Sequence, residues 1–252
     1  MEDEIYRNAI IICDKEDVGK DIPIGASKMG GFPDLPPEIE YPAMTAHTEK
    51  FLNRFNDKVE RYEKSAMQLV AQINLYELAE TGADIDNLLP KNGMLYIFWS
   101  GETMTFESNE YVEIHCDEPA NKDIQKVIYW NGDMSTLRRT QPPCPYYSKY
   151  FENDITKECF PEQAVDFSEQ REYDCDCDYD DDYDNENFES DKLFGFPNGV
   201  NKPWLEDNEV NLFQFDCYSI FKGCIWYTYW IMKQKDLKNL DFSHITLSCD
   251  MD

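Results

Sequence analysis

Val70-Ala71-Gln72-Ile73-Asn74 sets one glutamine in a short apolar run, and Gly93-Met94-Leu95-Tyr96-Ile97-Phe98-Trp99 follows it. The same order returns as Leu212-Phe213-Gln214-Phe215-Asp216, then Gly223-Cys224-Ile225-Trp226-Tyr227-Thr228-Tyr229-Trp230. A Gly-Phe-Pro precedes each copy, at Gly31-Phe32-Pro33 and at Gly195-Phe196-Pro197. Runs this short, rich in aliphatic and aromatic side chains, read as buried strands. Two versions of one strand plan imply a β scaffold with an internal pseudo-repeat, at about 27–100 and 193–232.

Further strands flank the copies. Ala9–Cys13 is β-branched at its centre, and Lys126–Trp130 runs into Asn131-Gly132, a hairpin signal. Tyr111–Cys116 alternates, with Val112, Ile114 and Cys116 on one face, and His244–Cys249 reads as a terminal strand. Helices are few. Leu75–Glu80 reads as a turn of helix ended near Gly82, and Lys235–Phe242 as another. Leu52, Phe55, Val59 and Tyr62 recur at steps of three and four, which predicts an amphipathic helix over 47–66. Ser27–Pro37, dense in glycine and proline, reads as an ordered loop packed through Phe32 and Leu35.

Composition narrows the function classes. At 252 residues the chain is long enough to bury a substantial core. There is no apolar run of about 18 residues, so no membrane-spanning helix is expected. Met1-Glu2-Asp3-Glu4 is acidic where a secretory signal is basic and then apolar, which makes the cytoplasm the expected compartment. The nine cysteines contain no C-x-x-C pair and read as free thiols in a reducing compartment. The net charge of −28 repels phosphate backbones and anionic lipid, so neither nucleic acid nor membrane is an expected partner. It attracts basic proteins and divalent cations, or serves only to keep an aromatic-rich chain soluble.

Between Tyr173 and Asp191 there are ten carboxylates and no base, over a third of the net charge, which reads as a solvated acidic loop at about 171–192. A calcium loop begun at Asp178 puts Asp180, Asp182, Asp184 and Glu186 at alternating ligand positions and Glu189 at the twelfth. Tyr183 occupies the sixth position, where such loops use glycine for the sharp turn. Asp178, Asp180, Asp182 and Glu189 are the weak metal candidates. His47, His115 and His244 show no ligand-like spacing. Phosphate-binding, dinucleotide-binding and hydrolase fingerprints are missing, so catalytic residues are unknown and no cofactor is implied.

The ordered series resembles the YwqG-like family, a bacterial domain family of unknown function. Ser27-Lys28-Met29-Gly30-Gly31-Phe32-Pro33 with Leu35-Pro36 carries the resemblance, as do Ala71–Leu75, Leu89-Pro90 and Gly93–Phe98. It continues through Leu193-Phe194-Gly195, Leu212–Asp216, the aromatic strand to Ile231, and Asp236-Leu237 with Asp241-Phe242-Ser243. The resemblance implies a single α+β domain over 1–252, predominantly β, with curved antiparallel sheets and short helices. It brings no established reaction, cofactor or catalytic residue.

The reading is therefore a protein-interaction module, of immunity type, that binds a basic partner. The alternatives are an uncharacterised enzyme with hydrolytic carboxylate chemistry, or a calcium or metal binder through the acidic run. Gln72 and Gln214 are expected to satisfy backbone groups, including those of the Gly-Phe-Pro loops. If they line a pocket, it lies where the two halves meet.

Overall fold

The two glutamine-bearing runs do form strands, and the sheet grows outward from a long central pair. A computed structural model describes residues 6–15, 21–45, 51–52, 58–59, 64–101, 104–107, 110–113, 124–146, 159–173, 191–199, 201–217 and 225–251. In chain order the main sheet contains β1 (Tyr6–Asp14), β2 (Lys28–Met29), β3 (Gln68–Asn74), β4 (Met94–Trp99) and β5 (Gln125–Trp130). Then come β6 (Gln163–Tyr173), β7 (Lys192–Phe194), β8 (Glu209–Asp216), β9 (Ile225–Lys233) and β10 (Thr246–Met251). Their spatial order is β5-β4-β3-β2-β6-β1-β7-β8-β9-β10, antiparallel throughout. The centre is the β1–β6 pair, with Ile10 opposite Glu169, and four strands extend on either side as two wings.

One ring contact shows how the sheet is bent. Trp99 on β4 and Trp230 on β9 lie edge-on with centroids 6.1 Å apart, although six strands separate them in the sheet. Seven flat strand spacings would put them roughly 33 Å apart. The sheet therefore curls until its wings face each other across a shared core. Phe213 lies 5.3 Å from Trp230, and Phe160 lies 5.9 Å from Phe215. Ile73, Leu95, Ile97, Trp99, Phe213 and Trp230 are fully buried there. At about 1.5–3 kcal/mol per large apolar side chain, this core is the main stabilising term. The expected class, α+β and predominantly β on a curved antiparallel sheet, is the one observed.

Helices are two. α1 (Leu75–Thr81) is capped by Asn74, whose side chain accepts from the Tyr76 and Glu77 amides, and Gly82 closes it at φ 73°. Leu75 and Leu78 face the core, while Glu77 Oε2 accepts the Ser27 amide at 2.8 Å and fixes the start of the Ser27–Pro37 loop. α2 (Gln234–Lys238) follows β9 and buries Leu237.

Three local expectations need correction. The described parts of 47–66 are extended: Phe51–Leu52 pairs with Lys58–Val59, and Lys64–Ala66 with Ala43–Thr45. Pairing of that last segment and the burial of Ser65 and Ala66 override the local helical spacing. Asn131-Gly132 does not close a hairpin. It leads into a 3-10 turn at Met134–Thr136, and Arg138–Arg139 then pairs with Asp34–Leu35. Finally, β6 runs through Tyr173 and β7 begins at Lys192, both inside the stretch read as acidic loop. Arg171 stacks on the Tyr6 ring at 4.5 Å and Glu172 binds Lys192, which holds those residues in the sheet. Glu110–Glu113 is a strand paired with Met104–Glu107, and the remainder of Tyr111–Cys116 lies outside the described residues.

Candidate functional site

Each wing carries a polar row across three neighbouring strands. In the first, Lys28 on β2 stands opposite Gln72 on β3, which stands opposite Tyr96 on β4. All three are buried to 0% exposure. The loop after Lys28 turns back over this row. It needs left-handed backbone at Gly30 (φ 59°) and Gly31 (φ 69°). A β-carbon on Gly30 would sit 2.0 Å from the Pro161 carbonyl oxygen, so that position is closed to larger residues.

The row holds the loop atom by atom. Lys28 Nζ donates to the Phe32 carbonyl at 2.5 Å and to Glu162 Oε1 at 2.6 Å. Gln72 Oε1 accepts the Asp34 amide at 2.7 Å, and its Nε2 donates to Ala26 O at 2.8 Å and Asp34 Oδ2 at 2.9 Å. Tyr96 donates its hydroxyl to Asp34 O at 2.6 Å. Arg139 closes the network from the rim, donating to Asp34 Oδ1 at 2.6 Å and to Glu162 Oε1 at 2.9 Å. Two cations meet two anions, so the group is neutral as a whole.

The second wing presents Lys192 on β7, Gln214 on β8 and Tyr229 on β9 in the same relation. Lys192 Nζ donates to Glu172 Oε1 and to Asn198 Oδ1, each at 2.7 Å. Gln214 Oε1 accepts the Asn198 amide at 2.8 Å, and the Tyr229 hydroxyl donates to Asn198 O. Glu172 Oε2 takes the Phe196 amide at 2.7 Å. Phe194 (φ 62°) and Gly195 (φ 73°) make the left-handed turn. Here Asn198 is uncharged, and one cation faces one anion.

Electrostatics explains why these groups are partnered. Burial pulls both lysines below their ordinary pKa, opposed by Glu162 and Asp34 around Lys28 and by Glu172 beside Lys192. Burial also pushes the Tyr96 and Tyr229 hydroxyls upward, reinforced by the charges of Asp34 and Asp250 respectively. Both tyrosines therefore stay protonated and remain donors. These side chains bind the protein's own loops. Gln72 and Gln214 are not brought together: each serves the Gly-Phe-Pro loop of its own wing.

Two other features offer chemistry. A cleft of about 280 Å³ runs along α1, lined by Leu75, Leu78, Ala79, Ile85 and Leu89 among others. Its carboxylate, Asp84, already accepts the Leu88 and Leu89 amides. Neither Gln72 nor Gln214 lines it. Near the chain's end, Asp236, Asp241 and His244 bring three ligand-type atoms within 4.8 Å of one another, with the latter two exposed. Asp241-x-x-His244 is the sequence signal for that cluster, and the histidine spacings alone do not reveal it. Asp178, Asp180, Asp182 and Glu189 lie outside the described residues. Cys13, Cys144, Cys159, Cys217 and Cys249 are not in disulfides.

Residues 27–250 match a family described as a domain of unknown function, DUF1963. The chain belongs to the DUF1963 family. The DUF1963 match opens beside Lys28 and closes at Asp250, whose Oδ2 accepts the Asn201 amide, so it spans both polar rows. No curated protein matches the chain. Among the described residues, no helix is long and apolar enough to cross a membrane.

Proposed function

We propose that this DUF1963 chain is a binding module whose acidic exterior engages a basic protein, in an immunity-type role within the cytoplasm. The observation that carries this reading is where the charge resides. The ion pairs of the two polar rows cancel: Lys28 and Arg139 against Asp34 and Glu162, and Lys192 against Glu172. The net charge of −28 therefore belongs to the rest of the chain and not to these pairs. A potential of one sign steers an oppositely charged protein and speeds encounter.

The scaffold reading accompanies it. The chain is a YwqG-like domain over 1–252 whose segments 27–100 and 193–232 are copies of one plan. The matched roles of Lys28 and Lys192, Gln72 and Gln214, and Tyr96 and Tyr229 support that duplication. With its polar rows closed over its own loops, the domain offers a partner its surface rather than a reactive interior.

Capture from cytosol of the source organism tests the function. The immobilised protein should retain a protein of high isoelectric point and release it as salt rises toward about 1 M, where screening acts within about 3 Å. Capture of no basic protein, or retention indifferent to salt, overturns the reading.

A further inference from the structure

The loop between β7 and β8 turns one tryptophan outward. Trp204 is 83% exposed, the most exposed of the large hydrophobic residues among those described. The loop around it is firmly held. Leu205 turns inward against the Tyr227, Tyr229 and Ile231 cluster. Upstream, Asn201 donates its amide to Asp250 Oδ2 at 3.3 Å. Downstream, Glu206 and Glu209 exchange bonds, the Glu209 amide reaching Glu206 O and the Glu206 amide reaching Glu209 Oε2. Lys233 on β9 clasps both carboxylates, at 2.6 and 3.0 Å. A rigid loop presenting a bare indole loses little conformational entropy on binding, and tryptophan is the residue most enriched at binding hot spots.

The chain shows what such a ring takes. Arg171 lies over Tyr6 at 4.5 Å and Arg7 over Phe196 at 4.9 Å. No cation stacks on Trp204 among the described residues. Lys233 is committed to Glu206 and Glu209, and Lys202, Glu206 and Asp207, close to Trp204 in the chain, are exposed polar residues. We infer that Trp204 is the anchor of the partner interface, its indole face receiving an arginine side chain of the basic protein. This rests on the basic-partner reading above. Charge brings the partner in, and Trp204 selects guanidinium over ammonium, because a planar guanidinium stacks on an indole more readily.

Labelled Arg–Gly and Lys–Gly repeat peptides of equal length and charge test this by fluorescence anisotropy at low salt. The wild type should bind the arginine peptide about two- to five-fold more tightly. Trp204→Ala should bind both peptides and lose that preference. An arginine preference of unchanged size in Trp204→Ala overturns the role of Trp204 and leaves the acidic-surface reading standing. Failure of both peptides to bind the wild type overturns the acidic-surface reading itself.

Discussion

Lys28 faces Gln72 across the β2–β3 ladder, and the two side chains grip opposite sides of Pro33: the lysine takes the Phe32 carbonyl and the glutamine takes the Asp34 amide. Proline has no amide of its own to tie down, so the loop is secured on both flanks of the residue that makes it stiff. Lys192 and Gln214 stand in the same register, and both fasten Asn198, the residue after Pro197.

Removing either glutamine leaves a loop amide without that acceptor, a buried one at Asp34 and a half-buried one at Asn198. Gln72→Ala and Gln214→Ala should each cost about 1–3 kcal/mol, read as a lower midpoint in urea unfolding at unchanged slope. A loss within about 0.5 kcal/mol, the range of an ordinary surface substitution, would deny them this role.

The lysines should behave as halves of buried pairs. Lys192→Met strands Glu172, which is only 11% exposed, and should cost about 3–5 kcal/mol. Pairing it with Glu172→Gln should recover part of that loss. A double-mutant cycle measures the coupling, expected at about 1 kcal/mol or more. Strict additivity would mean that the pair does not act as a unit.

Glycine offers a matched comparison. Gly82 and Gly195 share φ 73°, but a β-carbon on Gly82 meets nothing within 4 Å, whereas one on Gly195 collides with the Glu172 carboxylate. Gly82→Ala should cost about 1–2 kcal/mol for left-handed backbone alone. Gly195→Ala should cost about 1–3 kcal/mol more for overpacking. Equal losses in thermal or chemical unfolding would contradict the close approach.

Asp191 should give stability an acidic bias. Burial pushes its carboxyl up to about 7, and the nearby Asp216 and Asp14 carboxylates add to the rise, although the Asp216 amide bond opposes it. Between the unfolded value near about 4 and the folded value, the native state holds a proton that the unfolded chain has lost. This contribution is complete below about pH 4 and is lost as pH rises through 7. Asp191→Asn should flatten the dependence of unfolding free energy on pH in that window and stabilise the protein at pH 8 by on the order of 1–3 kcal/mol. Parallel pH profiles for the two proteins would refute the assignment.

Much of the scaffold was legible because strand burial writes itself locally. Met94–Trp99 is apolar on both faces, Leu212–Phe215 is interrupted only by Gln214, and both runs lie inside a wing and not at its edge. The amphipathic spacing misled at Leu52 and Val59, where strand pairing outweighs a weak local preference. The glutamine contacts could be anticipated, since an isolated amide in an apolar strand has to bond something. The lysines were less visible. Lys28 and Lys192 stand at the same offset before each Gly-Phe-Pro, but nothing local marks a lysine as buried. Their partners are Glu162, just before β6, and Glu172 within it, as far as 134 residues away in the chain. Arg139 likewise arrives from a segment whose Asn-Gly points to a different connection. Trp204 reads only as a loop residue until its neighbour Leu205 is seen turned inward.

The most direct measurement for the function is the association rate of the captured basic partner at rising ionic strength. Steering by a net charge of −28 should give a rate that falls at least about tenfold as added salt takes the screening length from about 30 Å to about 8 Å, with the dissociation rate changing much less. An association rate unaffected by salt would contradict the acidic exterior as the working surface of this protein.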